Sequence, residues 1–222
     1  MGSARDNVLD RVRKALGKAG RDAAQVAAAE ATIAARIQGP RPMCAEDPVA
    51  RFMQRARDME SSVERIAEFA AIPAAVARYL DALSPLPVGL NARAGVCWPE
   101  FSALDWAGAG LDIVARPTQG GDRVGVTGVF CAIAETGTMV LLAGAAAPTA
   151  SALLVDTHVA VVPAKRIVDG MEDAFAWIRR ERGVLPRAVN LISGPSRTGD
   201  IEQTIVLGAH GPFRVHVLIV DS

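Results

Sequence analysis

Apolar positions in the amino-terminal third of the chain recur every three or four residues, and in the remainder they gather into short runs. Residues 5 to 18 place Val8, Leu9, Val12 and Leu16 on one stripe, with Arg11, Arg13, Lys14 and Lys18 spread around it. This pattern predicts an amphipathic helix that either docks on the body or serves as a partner-binding arm. Asp22 followed by Gln25 resembles a capping box, and Gly39-Pro40 is a stop, so a second helix is expected over 23 to 37. Beyond the Pro40/Pro42 linker, Asp47 and Pro48 open a third helix with Val49, Phe52, Met53, Ala56 and Met59 on its apolar side. Ser61 with Glu64 predicts a further helix carrying Val63, Ile66 and Phe69, and Pro73 another with Val76, Leu80 and Leu83. Residues 1–83 are thus expected to form a helical amino-terminal extension.

At Ser84-Pro85-Leu86-Pro87 the pattern changes. Val88 to Asn91, Leu111 to Ala115, Val129 to Ala134, Thr138 to Ala143, His158 to Pro163, Ala188 to Ser193 and Arg214 to Asp221 read as strands. Several lack in/out alternation, which marks strands covered on both faces. Helical spacing returns at Ile167 to Glu181, and Asp200 to Leu207 fits a short helix stopped by Gly208. The expected fold is α/β: an open, mostly parallel sheet sandwiched by helices over 84–222.

Composition narrows the classes. Half the residues are apolar and 22% are charged, as in globular proteins. The 24 basic and 24 acidic side chains cancel, so no overall field draws in nucleic acid or an anionic membrane. Charges run through residues 1 to 20, which does not match a secretory leader, and the chain reads as cytoplasmic. The uncharged stretch 139–155 contains Gly144 and Pro148 and falls short of the roughly 20 residues of a spanning helix, so it reads as core. Cys44, Cys97 and Cys131 are far apart and form no CxxC element, so no metal or cofactor is assigned to this chain.

Ligands of open α/β sheets bind at strand-to-loop junctions, and three junctions hold glycine beside polar side chains. The first is Glu135-Thr136-Gly137-Thr138, where an acidic residue amid β-prone neighbours either opens onto a cleft as base or nucleophile or is held by backbone amides. The second runs through Ser193, Gly194, Ser196, Arg197, Thr198, Asp200 and Glu202. There an expected helix start offers amides, and Arg197 a guanidinium, to an anion, although the two acidic residues oppose one and Ser196 or Thr198 can cap the helix instead. The third is the turn 208–212, with His210 before Gly211 as a candidate acid, base or ligand. His216 reads as a core histidine, and Asp156 with His158 supplies too few ligands for a metal. No GxGxxG, Walker, GxSxG or HExxH motif occurs.

Taken together, GVTGVFCAIAETGTMVL at 125–141, HVAVVP at 158–163, ISGPSRTGDIE at 192–202 and GAHGPFRVHVLIV at 208–220 resemble the lactate utilisation protein C (LutC) family. ARDNVLDRVRKALG at 4–17 looks like that family's first helix. The resemblance implies a LUD domain of the ribose-phosphate isomerase and CoA-transferase-like group. It also implies a non-redox subunit in the oxidation of L-lactate to pyruvate, with iron–sulfur clusters carried by partner proteins. The rival expectation is a self-sufficient enzyme or binding protein for an anionic small molecule, such as an acyl-CoA, carboxylate or sugar phosphate, with Glu135 and His210 as reacting groups.

Overall fold

A computed structural model of the protein describes residues 3–17, 22–42, 47–83, 93–201 and 204–221. Contacts divide the chain into two compact units, Met1–Pro42 and Met43–Ser222. The first contains helices α1 (Ala4–Ala15) and α2 (Ala23–Ala35), each ending short of its expected limit. Ser3 and Asp6 form a reciprocal capping box that satisfies the first amides of α1, and Asp22 accepts from the Ala24 amide at 3.0 Å to open α2.

The second unit begins with α3 (Pro48–Asp58), whose first amides, Val49 and Ala50, donate to the Asp47 carboxylate at 2.9 and 3.1 Å. The next segment corrects the sequence expectation. Residues 62–66 form β1 (Ser62–Ile66) rather than a helix, so the first 83 residues are not helical throughout. The Ser61/Glu64 capping signal is outweighed because Val63 and Ile66 suit a strand and a distant segment, residues 216–220, offers a parallel ladder running from Ser62↔His216 to Ile66↔Val220. A single turn at Phe69–Ala71 leads into α4 (Ile72–Ala82), which buries Ile72, Ala75, Val76 and Leu80.

The remaining elements are β2 (Ala94–Cys97), β3 (Asp112–Ala115), β4 (Val124–Gly128), β5 (Cys131–Ile133), β6 (Thr138–Leu142), α5 (Ala150–Leu153), β7 (Thr157–Pro163), β8 (Ile167–Val168), α6 (Met171–Arg182), β9 (Val189–Ile192), β10 (Arg197–Ile201), β11 (Thr204–Leu207) and β12 (Arg214–Val220). The expected strand at 88–91 lies outside the described residues. β2 and β4 are additional to the expected set; Gly95, Gly125 and Gly128 dilute the apolar run that would have marked them.

Six strands form a wholly parallel sheet in the order β1-β12-β7-β4-β2-β3. β4, β7 and β12 are buried almost end to end, as expected for strands covered on both faces. A second sheet, β8-β5-β6-β9, is mixed. Its two-residue period separates the layers: Ala132, Ala134, Met139 and Leu141 enter the main core, while Cys131, Ile133, Val140 and Leu142 pack with Ala174 and Ile178 of α6.

Two helical expectations in this half are corrected as well. Helix α6 starts at Met171, because Ile167 and Val168 pair with Ala132 and Ile133 of β5. Residues expected as a helix over 200–207 belong instead to the antiparallel pair β10-β11, with Arg197 opposite Leu207 and Thr198 opposite Val206. Ile201, Thr204, Ile205 and Val206 are β-branched and favour the extended backbone.

Candidate functional site

The three polar bends of the sequence meet at the amino-terminal edge of the parallel sheet. Helix α3 ends at Asp58 and β1 starts at Ser62, so the last turn of α3 marks this edge. Gly137 (φ +66°) lies against it so closely that a Cβ would come within 2.5 Å of the Ala56 nitrogen and the Arg55 carbonyl carbon. Gly194 (φ +72°) does the same one turn on, where a Cβ would lie 1.9 Å from the Met59 carbonyl oxygen. Both positions need the left-handed backbone and the missing side chain.

Hydroxyl contacts join the bends. Thr138 Oγ1 lies 2.7 Å from Thr136 Oγ1 and 2.7 Å from Ser193 Oγ, linking the first bend to the second. The Ser196 amide donates to the Pro212 carbonyl, and the Gly208 amide donates to the Ser196 carbonyl, both at 2.9 Å, linking the second to the third. Arg197 donates to the Met59 carbonyl at 3.1 Å and pairs with Glu60 at 3.0 Å. Arg197–Ile201 form strand β10, so among the described residues no helix start offers its amides at this junction, and Arg197 is engaged within the chain.

Glu135 is half-buried, and its amide donates to the Asp169 carbonyl at 3.0 Å. His210 is exposed in its bend. No hydrogen bond or ion pair joins these two side chains among the described residues. Thr198 is half-buried beside Arg197, and Gly211 packs on Ser196, where a Cβ would lie 3.1 Å from the serine Cβ. Asp200 belongs to β10, whereas Glu202 lies outside the described residues.

The other two histidines are core groups. His158 is fully buried, with Nε2 2.8 Å from Thr127 Oγ1, and burial pushes it down to about 4. His216 stacks on Tyr79 at 4.0 Å, shares a 2.8 Å hydrogen bond with Ser62, and is likewise pushed down to about 4 by burial. In this environment the neutral imidazole is favoured.

The opposite edge of the sheet holds a cleft of about 330 Å³. The chain leaves β2 toward β3 on one side, whereas β4 leads by way of β5 and β6 to β7 on the other, so β2 and β4 form the topological switch point. Such a point opens a crevice outside the carboxyl ends of the strands. Trp98, Glu100 and Phe101 line it from the end of β2, Val129 and Phe130 from the end of β4, Arg166 from beyond β7, and Arg182 from the end of α6. Each follows a strand or helix end that the tertiary fold brings together, which is why motif spacing does not reveal them. The legible signal would have been Trp98-Pro99-Glu100 directly after a strand, had β2 been recognised.

Within the cleft the charges are unevenly satisfied. Arg166 donates to the Phe130 carbonyl at 3.0 Å, reaches Glu181 at 3.4 Å, and lies over the Phe130 and Trp177 rings at 5.2 and 4.9 Å. A hydrogen bond from the Trp177 indole, with Arg166 nearby, lowers Glu181 below its usual range. Glu100 has no such partner among the described residues, and desolvation raises its carboxyl. Its Oε1 lies 2.0 Å from where a Cβ on Gly128 would stand, so the absence of a side chain there gives it room. Cys97 and Cys131 are buried, and desolvation pushes their thiols up to about 11 and about 12.

A wholly parallel main sheet flanked by helices, with a crevice at its switch point, defines an open α/β class of domain. Residues 104–220, more than half of the chain, match the LUD domain, and the chain belongs to this family. It is similar to proteins named Lactate utilization protein C. The Bacillus licheniformis relative is 34% identical over 131 residues, covering 56% of this chain and 54% of that one. The Bacillus subtilis relative is 33% identical over 140 residues, covering 60% and 58%. The chain thus spans little more than half the length of these curated relatives. A crystal structure of a DUF162 family protein from Deinococcus radiodurans superposes with a TM-score of 0.56 at 25% identity, covering 81% of this chain and 99% of that one.

Proposed function

We propose that the protein acts in lactate utilisation, as a non-redox subunit of an iron–sulfur-dependent assembly that oxidises L-lactate to pyruvate. The observation that carries this reading is the LUD domain match over residues 104–220, joined to relatives at 33 and 34% identity that bear the name Lactate utilization protein C. In this arrangement the chain contributes a domain that binds or positions, while electrons pass through its partners.

Deleting the gene in its native host and following growth on L-lactate as sole carbon source tests the reading. Growth is expected to fail and to return when the chain is supplied in trans. Undiminished growth of the deletion strain overturns the proposal. Reconstitution with the iron–sulfur partners then separates subunit from bystander: lactate turnover is expected to require the chain.

A further inference from the structure

The cleft at the carboxyl ends of β2 and β4 contains two arginines whose circumstances differ. Arg166 is consumed by Glu181, the Phe130 carbonyl and two aromatic rings. Arg182, at the exposed last turn of α6, lies over the Phe130 ring at 5.9 Å; its charge helps to lower Glu181, but no salt bridge joins it to a carboxylate among the described residues. It also lines a second cavity of about 410 Å³ that shares Leu142, Ala146 and Ala147 with the first, so its guanidinium stands where the two spaces adjoin. A planar guanidinium in that position matches a carboxylate in a two-point hydrogen-bonded pair.

Apart from Arg166, Arg182, Glu100 and Glu181, the wall is apolar or aromatic. Trp98 presents its ring to the cleft while its indole N–H donates to the Pro148 carbonyl at 3.2 Å, so the ring is held and its polar group is already satisfied. Phe69, Val129 and Phe130 continue this surface. Two carboxylates line the cleft: Glu181 is already bonded to Trp177 and Arg166, while the desolvated carboxyl of Glu100 can exchange a hydrogen bond with a ligand hydroxyl. A cavity of about 330 Å³ fits a ligand larger than a three-carbon acid.

We infer that this cleft binds an organic carboxylate with a flat apolar body, its carboxylate held by Arg182, its body against Trp98 and Phe130, and a hydroxyl beside Glu100. The inference does not rest on the lactate reading, since the site is defined by the cleft alone. 3-Phenyllactate carries all three features. L-lactate lacks the ring, and 3-phenylpropan-1-ol lacks the carboxylate.

Calorimetric titration of the full chain with these three compounds tests the assignment. 3-Phenyllactate is expected to bind about tenfold or more tightly than either of the others, since an ion pair and ring burial are each worth roughly an order of magnitude in affinity. Arg182→Leu is expected to weaken it by about tenfold or more at an unchanged unfolding midpoint, because the side chain is exposed. Gly128→Ala turns Glu100 into the cleft and is expected to weaken binding as well, since only the far end of a flexible side chain must move. Absence of binding by all three compounds, equal binding of acid and alcohol, or full affinity in both variants overturns the inference.

Discussion

The two edges of the parallel sheet are opposites in how their polar groups are used. At the amino-terminal edge, Thr136, Thr138 and Ser193 bond to one another, Arg197 is tied to Glu60 and Met59, and two glycines fit against the backbone of α3. Asp122, just ahead of β4, accepts from Arg116, Thr118 and the Gln119 amide, and the Arg116 guanidinium beside it holds its carboxyl down to about 2. At the carboxyl edge, Glu100 and Arg182 face a cleft, and neither is joined to a carboxylate or guanidinium by a salt bridge among the described residues. The glycine-rich polar bends are thus close-packed where the chain turns back on itself, whereas the crevice lies where strands end and diverge.

The largest expected effect comes from filling the amino-edge contacts. Gly137→Val forces a branched side chain at φ +66° into the backbone of α3 and is expected to cost about 3 kcal/mol or more, read by urea denaturation. A small effect would mean that the two segments are not clamped and that this edge can open.

Acid comes next. The folded state keeps His158 and His216 neutral down to about 4, whereas the unfolded chain takes up protons near 6.5. Their contribution is complete above 6.5 and is lost as pH falls from 6.5 toward 4, by roughly 3 kcal/mol for His158. Denaturation series at pH 7 and 4.5 should show this loss, and His158→Gln should flatten it. The Asp122 contribution persists to lower pH, because its depressed group gives up stability only between 3.8 and about 2.

Removing the hydroxyl link is a smaller perturbation. Thr138→Val deletes one member of a chain of three hydroxyls and should cost about 1 kcal/mol. The smallest stability changes are expected for Glu135→Gln and His210→Gln, within about 0.5 kcal/mol. Their value lies in function: failure of either variant to restore growth on L-lactate, while folded, would move chemistry to the amino edge and reverse the comparison.

Much of the architecture was legible from local pattern. Asp47-Pro48 announced the start of α3, and the unalternating runs at 158–163 and 214–221 announced strands covered on both faces, because capping geometry and two-sided burial leave direct marks on neighbouring residues. The ETGT, SGPS and HGP bends were also visible, together with the family they resemble. Their meeting at one edge was visible only as a possibility, since the contacts of Gly137 with Arg55 and of Ser196 with Pro212 span distant parts of the chain.

Ser62–Ile66 and Thr204–Leu207 show where local reading fails. Each carries helix signals or fits a helix in isolation, and each becomes a strand because a partner elsewhere, β12 or β10, pairs its backbone groups. The same holds for the cleft. Sequence by itself determined which segments are greasy, where helices start and which bends need glycine, because these depend on neighbours within a few residues. Only the tertiary structure decided that Trp98, Glu100, Phe130 and Arg182 share one crevice, because a site at a switch point is assembled from the ends of separate elements whose proximity follows from strand order.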